Sequence, residues 1–206
     1  MKKAALIAGL ALASLLATPA LAAEGDVEAG RAKAETCLGC HGIPNYTNVY
    51  PTYRVPKLGG QHADQIFAAL QAYRSGERQH PTMSAQAASM SDEDMRDVAA
   101  YFAQVKPGKK EPRTYGGNPQ AGQEKTQVCA TCHGADGKSP NPAFPVLAGQ
   151  YADYLAHALR AYKLGERTNP IMAAQVATLS EQDILDLAAW FAAQDEGLNL
   201  LSTEAR

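Results

Sequence analysis

The stretch ETCLGCHG, residues 35–42, holds Cys37 and Cys40 with two residues between them and His41 directly behind. QVCATCHG, residues 127–134, repeats the arrangement with Cys129, Cys132 and His133, and the 206-residue chain has no other cysteine. Four chemistries use thiols at this spacing: a disulfide, a zinc clamp, a redox dithiol and covalent haem attachment. A bridge inside CxxC closes a tiny loop, does little for a fold, and leaves the histidine without a role. A thioredoxin-type dithiol belongs to a βαβ context, and no alternating β pattern stands out here. Zinc wants four clustered ligands, whereas each copy offers three and no second ligand pair at a usual spacing. Haem attachment uses every residue, since two thiols add to the two vinyl groups and the next imidazole is held beside the iron. Cys37, Cys40 and His41 are the candidates for one haem, and Cys129, Cys132 and His133 for another.

The repeat extends well past the motif. LGGQHADQIFAALQAYRSGERQHPTMSAQAASMSDEDMRDVAAYFA, from Leu58, aligns without gaps on LAGQYADYLAHALRAYKLGERTNPIMAAQVATLSEQDILDLAAWFA, from Leu147. The offset is 89, and about half the positions are identical. The cysteines are offset by 92, so the first copy has three extra residues after its CxxCH, in the Tyr-rich stretch IPNYTNVYPTYRVP. VKPGKKEPRTYGGNP, between the copies, reads as a linker. The expected organisation is a leader over 1–22, an N-terminal domain over 23–105, a linker over 106–117 and a C-terminal domain over 118–206.

Each copy reads as helical. Asp26 and Asn118 suit N-caps, with Pro119 at a first helical position. A second helix is expected over about 62–75 and 151–164, ending at Gly76 and Gly165. A last helix opens at Ser91-x-x-Asp94 and at Ser180-x-x-Asp183, a capping-box pattern. The fold class is all-α. Domains of about 80 residues, with apolar content drawn largely from alanine, need a staple, and a large apolar prosthetic group would serve.

The duplication also sorts the remaining ligands. Beyond the leader there are four methionines, and under the shift of 89 Met90 falls on Leu179 and Met95 on Ile184, as core positions do. Met83 alone falls on a methionine, Met172, each in a Pro-x-Met segment. Met83 and Met172 are therefore the candidates for the second axial position. His62, His80 and His157 fall on Tyr151, Asn169 and Ala68, which demotes all three.

The ends and the charge narrow the setting. MKKAALIAGLALASLLATPALA has the charged start, apolar middle and small-residue end of a secretory signal peptide, with cleavage expected near Ala22. A bacterial periplasm is the expected destination. The net charge is −2, and −4 without Lys2 and Lys3. With no basic face, nucleic-acid binding is set aside. No later stretch is long and apolar enough to span a membrane, so at most peripheral membrane association is expected.

With its paired CxxCH motifs, Pro-x-Leu-x-Gly-Gln segments (Pro56–Gln61 and Pro145–Gln150), Gly-Glu-Arg turns (Gly76–Arg78 and Gly165–Arg167) and Pro-x-Met segments, the chain resembles a class I cytochrome c written twice. It is most similar to the dihaem cytochrome c4 family. The resemblance implies two covalently bound haem c groups with His/Met-ligated iron, monohaem domains packed together, and periplasmic electron transfer. It implies that the carbonyls of Pro56 and Pro145 receive the ring N–H of His41 and His133. It also implies that Tyr101-Phe102 and Trp190-Phe191 pack the last helix near Gly30 and Gly122. Arg78 and Arg167 are candidates for the haem propionates. Two filled axial positions leave no place for substrate, so an electron carrier rather than an enzyme is expected. By analogy its partners are a quinol-oxidising cytochrome bc-type complex and a terminal oxidase, and a monomer is expected. The alternatives are a dihaem redox enzyme of peroxidase or thiosulfate-oxidising type, and the electron-input subunit of a larger membrane redox complex. The unlike loops around the two haems imply unequal potentials.

Overall fold

The computed structural model describes residues 24–110 and 112–201, so the expected leader and its cleavage point lie outside the described residues. The first half contains α1 (Val27–Lys33), α2 (Glu35–His41), α3 (Ala63–Ser75), α4 (Pro81–Ala88) and α5 (Asp92–Ala103). The second half repeats the order as α6 (Pro119–Lys125), α7 (Gln127–His133), α8 (Ala152–Lys163), α9 (Pro170–Val176) and α10 (Glu181–Ala192). Extended pairing among the described residues is confined to isolated bridges, and the class is all-α.

Local chemistry sets the helix ends where the pattern predicts them. The Asp26 carboxylate accepts from the Glu28 and Ala29 amides, and the Asn118 side chain from those of Gln120 and Ala121. Ser91–Asp94 and Ser180–Asp183 both close as capping boxes. Gly76 ends α3 in the left-handed region, at φ +83°.

In each half the last helix crosses the first at contact distance. A Cβ on Gly30 would lie 1.9 Å from the Asp97 carbonyl oxygen, and one on Gly122 would lie 2.0 Å from that of Asp186, so only glycine fits. The Cβ atoms of Tyr101 and Trp190 flank these points, as the resemblance implied. Asp97 accepts from the Asp26 amide at 2.7 Å and Lys33 Nζ at 2.6 Å; Asp186 accepts from the Asn118 amide at 2.9 Å and Lys125 Nζ at 2.7 Å. These bonds hold both ends of the first helix on the last. Leu38, Ile66, Leu70, Met95, Val98 and Phe102 form one core, and Leu155, Ile184, Ala188 and Phe191 with small alanines form the other.

The two halves meet about a pseudo-two-fold axis. Gln61 accepts from the Val146 amide and donates to the Val146 carbonyl, at 2.9 and 3.0 Å. Its repeat partner Gln150 does the same to Lys57, the counterpart of Val146, at 3.0 and 2.9 Å. Arg78 and Arg167, also repeat partners, form an antiparallel bridge with each other, so the axis passes between them. Symmetry stops at the inserted loop. Arg54 pairs with the Asp153 carboxylate at 3.0 Å in a buried contact, and its guanidinium lies 4.2 Å over the Tyr151 ring. Tyr53 stacks on His157 with ring centroids 4.0 Å apart. The linker, though mostly exposed, is tied at its start to the C-terminal half. Gly108 pairs with Gly197, and Lys110 bonds Asp195 through both its amide and its ammonium. The tail then joins the halves, with Leu198 bonded to Ala148 and Asn199 to Gly59.

Candidate functional site

Helical spacing makes each CxxCH a three-pronged face. On α2, Cys37, Cys40 and His41 occupy positions i, i+3 and i+4, which lie side by side, and α7 does the same for Cys129, Cys132 and His133. All four cysteines are free and half-buried, which removes the disulfide reading. Burial pushes the Cys37 and Cys129 thiols up, opposite to the lowered value of a reactive dithiol. Among the described residues no three His, Cys, Asp or Glu side chains gather as a metal-binding group, so zinc lacks its donors.

The histidines are buried and oriented. His41 Nδ1 lies 2.8 Å from the Pro56 carbonyl, and His133 Nδ1 lies 3.0 Å from that of Pro145. A carbonyl only accepts, so each Nδ1 carries the proton and each Nε2 keeps its lone pair for a metal. Burial pushes His41 down to about 4 and lowers His133 too, so both rings stay neutral at pH 7. A neutral imidazole is the form that ligates.

The Pro-x-Met segments each open a helix, α4 and α9, with proline at the first position. The Met83 amide donates to His80 Nδ1 at 3.3 Å, and the Met172 amide donates to Asn169 Oδ1 at 3.1 Å. His80 and Asn169 thus perform one capping task with different acceptors, and this explains why the repeat tolerates their exchange. Cys37 and Met83 pack against the same core cluster, while Met172 is half-buried at the start of α9.

A haem fits these residues. It offers two vinyl groups to paired thiols, an iron to a neutral Nε2 and two carboxylates to cations. A cation with spare donor capacity is present: Arg78 Nε is buried with no acceptor among the described residues. Repeat comparison located the thiols, imidazoles and methionines. It passed over Tyr154, whose hydroxyl receives both Arg78 Nη2 at 2.6 Å and Arg167 Nη2 at 3.1 Å. Position 154 is glutamine in the other copy, at Gln65, so a search for shared residues rejects it.

Comparison with known proteins agrees with this geometry. The cytochrome c family profile matches residues 27–106 and again 119–194. Cytochrome c4 of Pseudomonas aeruginosa is 50% identical over 78 residues, a match that spans 38% of this chain and 39% of that protein. A thiosulfate dehydrogenase electron acceptor of Stutzerimonas stutzeri is 32% identical over 205 residues, covering 90% of this chain and 93% of the relative. The crystal structure of reduced recombinant cytochrome c4 from Pseudomonas stutzeri superposes with a TM-score of 0.69 at 30% identity, over 85% of this chain and all of that one. Two matched halves, each with one thiol pair and one oriented imidazole, place the chain in the cytochrome c family as a dihaem, electron-carrying member of the cytochrome c4 type.

Proposed function

We propose that Cys37 and Cys40 hold one haem c through thioether bonds and Cys129 and Cys132 the other. His41 with Met83, and His133 with Met172, are the axial ligands. Haem c, when bound, supplies a one-electron iron couple, and a thioether ligand favours its ferrous form. The remaining work is done by the chain. Pro56 and Pro145 hold the Nδ1 protons, which fixes the tautomer and raises the basicity of the ligating nitrogens. His80 and Asn169 anchor the backbone of the two methionines, which limits exchange of either thioether for water or substrate. Arg78 keeps Nε available for a haem carboxylate.

The observation that carries this reading is that both halves orient a histidine and anchor a methionine in the same way. Two protein ligands per iron leave no coordination position for a substrate, so the protein carries electrons and does not transform a bound molecule. It works in the periplasm, as a monomer, after removal of the leader. It takes electrons from a quinol-oxidising cytochrome bc-type complex and passes them to a terminal oxidase. The similarity to a thiosulfate dehydrogenase electron acceptor favours a second donor, a thiosulfate-oxidising enzyme. Optical spectroscopy of the purified protein tests the ligand set. A weak red methionine–ferric band at both haems, with no carbon monoxide uptake when reduced, is expected. Carbon monoxide binding at either haem in the native protein would refute it. Stopped-flow reduction by each purified donor complex separates the two sources of electrons.

A further inference from the structure

Tyr154 lies on α8 of the C-terminal half, yet its shorter hydrogen bond is to Arg78 of the N-terminal half. A phenol oxygen has two acceptor lone pairs, and the two guanidinium groups take both. The guanidinium of Arg78 also lies 4.5 Å over the Tyr73 ring, so it is clamped between a ring from its own half and a hydroxyl from the other. No ion pair with a carboxylate engages Arg78 or Arg167 among the described residues, so Tyr154 is the polar group that fixes their places. Its counterpart Gln65 is turned outward and donates to the Pro142 carbonyl instead. The arrangement is therefore one-sided although the surrounding interface is nearly two-fold.

The packing places Arg78 at the N-terminal site: the Tyr73 ring that it covers packs against the core cluster that also takes in Cys37 and Met83. A fixed cation in a medium of reduced dielectric raises the potential of a nearby iron, because it disfavours the more positive ferric state.

We propose that Tyr154 is a positioning residue for the N-terminal haem, holding Arg78 in place so that the C-terminal half of the chain sets the potential of the other half's redox centre. This rests on the dihaem reading above. The test uses the full-length holoprotein in a Met172→His background, where the C-terminal couple drops and the upper couple belongs to the N-terminal haem. Adding Tyr154→Phe lowers that upper couple by about a tenfold change in the one-electron equilibrium, about 59 mV. Tyr154→Gln, which gives both halves the same residue, lowers it similarly and serves if the phenylalanine variant fails to fold. Arg78→Gln reproduces the fall, and Tyr154→Phe adds nothing further to it. An unmoved upper couple, full additivity with Arg78→Gln, or equal shifts of both couples with a lowered melting temperature would each overturn the proposal. Mass spectrometry for two covalent haems and the carbon monoxide assay on the native protein judge the dihaem reading separately. Loss there refutes that reading whatever Tyr154 does.

Discussion

The two halves of this chain agree where chemistry is demanding and differ where packing decides. Cysteine pair, histidine, proline carbonyl and anchored methionine recur with matching geometry. So does the aspartate that ties the first helix to the last. The interface repeats its glutamines and arginines, but only the first half sends in Tyr53 and Arg54, which meet His157 and Asp153 of the second, and only the second supplies Tyr154 to hold an arginine of the first. A duplicated domain can keep both iron environments alike and still make its redox centres unequal, through the side chains at the seam.

The severest way to break the comparison is to remove one centre. His41→Ala in the first half, or His133→Ala in the second, should abolish the methionine–ferric band of that haem only. Difference spectra beside the unaltered half measure it. Next is the buried pair at the seam. Asp153→Ala breaks a buried ion pair with Arg54 and should cost about 3–5 kcal/mol in urea unfolding. The repeat counterpart Asp64→Ala is exposed and should stay within about 0.5 kcal/mol. A contrast of that size between equivalent positions would show that the seam, not the domain, uses Asp153.

The glutamines sharpen the symmetry. Gln150→Ala strands the amide and carbonyl of Lys57, and Gln61→Ala strands those of Val146, each costing about 1–3 kcal/mol by the same unfolding assay. Gln150 is the more deeply buried and should show the larger loss. The smallest effect is in pH. Burial, helped by nearby arginines, pushes His157 down to about 4, below its usual 6.5. A depressed value means that its neutral form stabilises the fold above about 6.5 and that this contribution fades as pH falls toward 4. His157→Gln should flatten the melting temperature over that window. The first half has Ala68 at the same position and offers no such group.

Much of the site was readable because chemistry constrains spacing. Thiols three apart and a histidine four from the first occupy one helical face whatever surrounds them. The repeat acted as an internal control that separated Met83 and Met172 from Met90 and Met95. The same control passed over Tyr154, since it keeps what the halves share and discards what makes them different. Gln61 and Gln150 were visible as a repeated motif, but their reciprocal bonds were not. A side chain bonded to a residue about 90 positions away leaves no mark on local pattern.

Sequence alone, then, determined the duplication, the helical class, the haem-attachment motifs and the axial candidates, since each follows from local spacing or from self-comparison. Only the tertiary structure decided how the halves face each other, that Arg78 and Arg167 meet at the axis, and that a tyrosine from one half holds an arginine of the other. Those facts depend on which surfaces are buried together, and burial is a property of the packed chain.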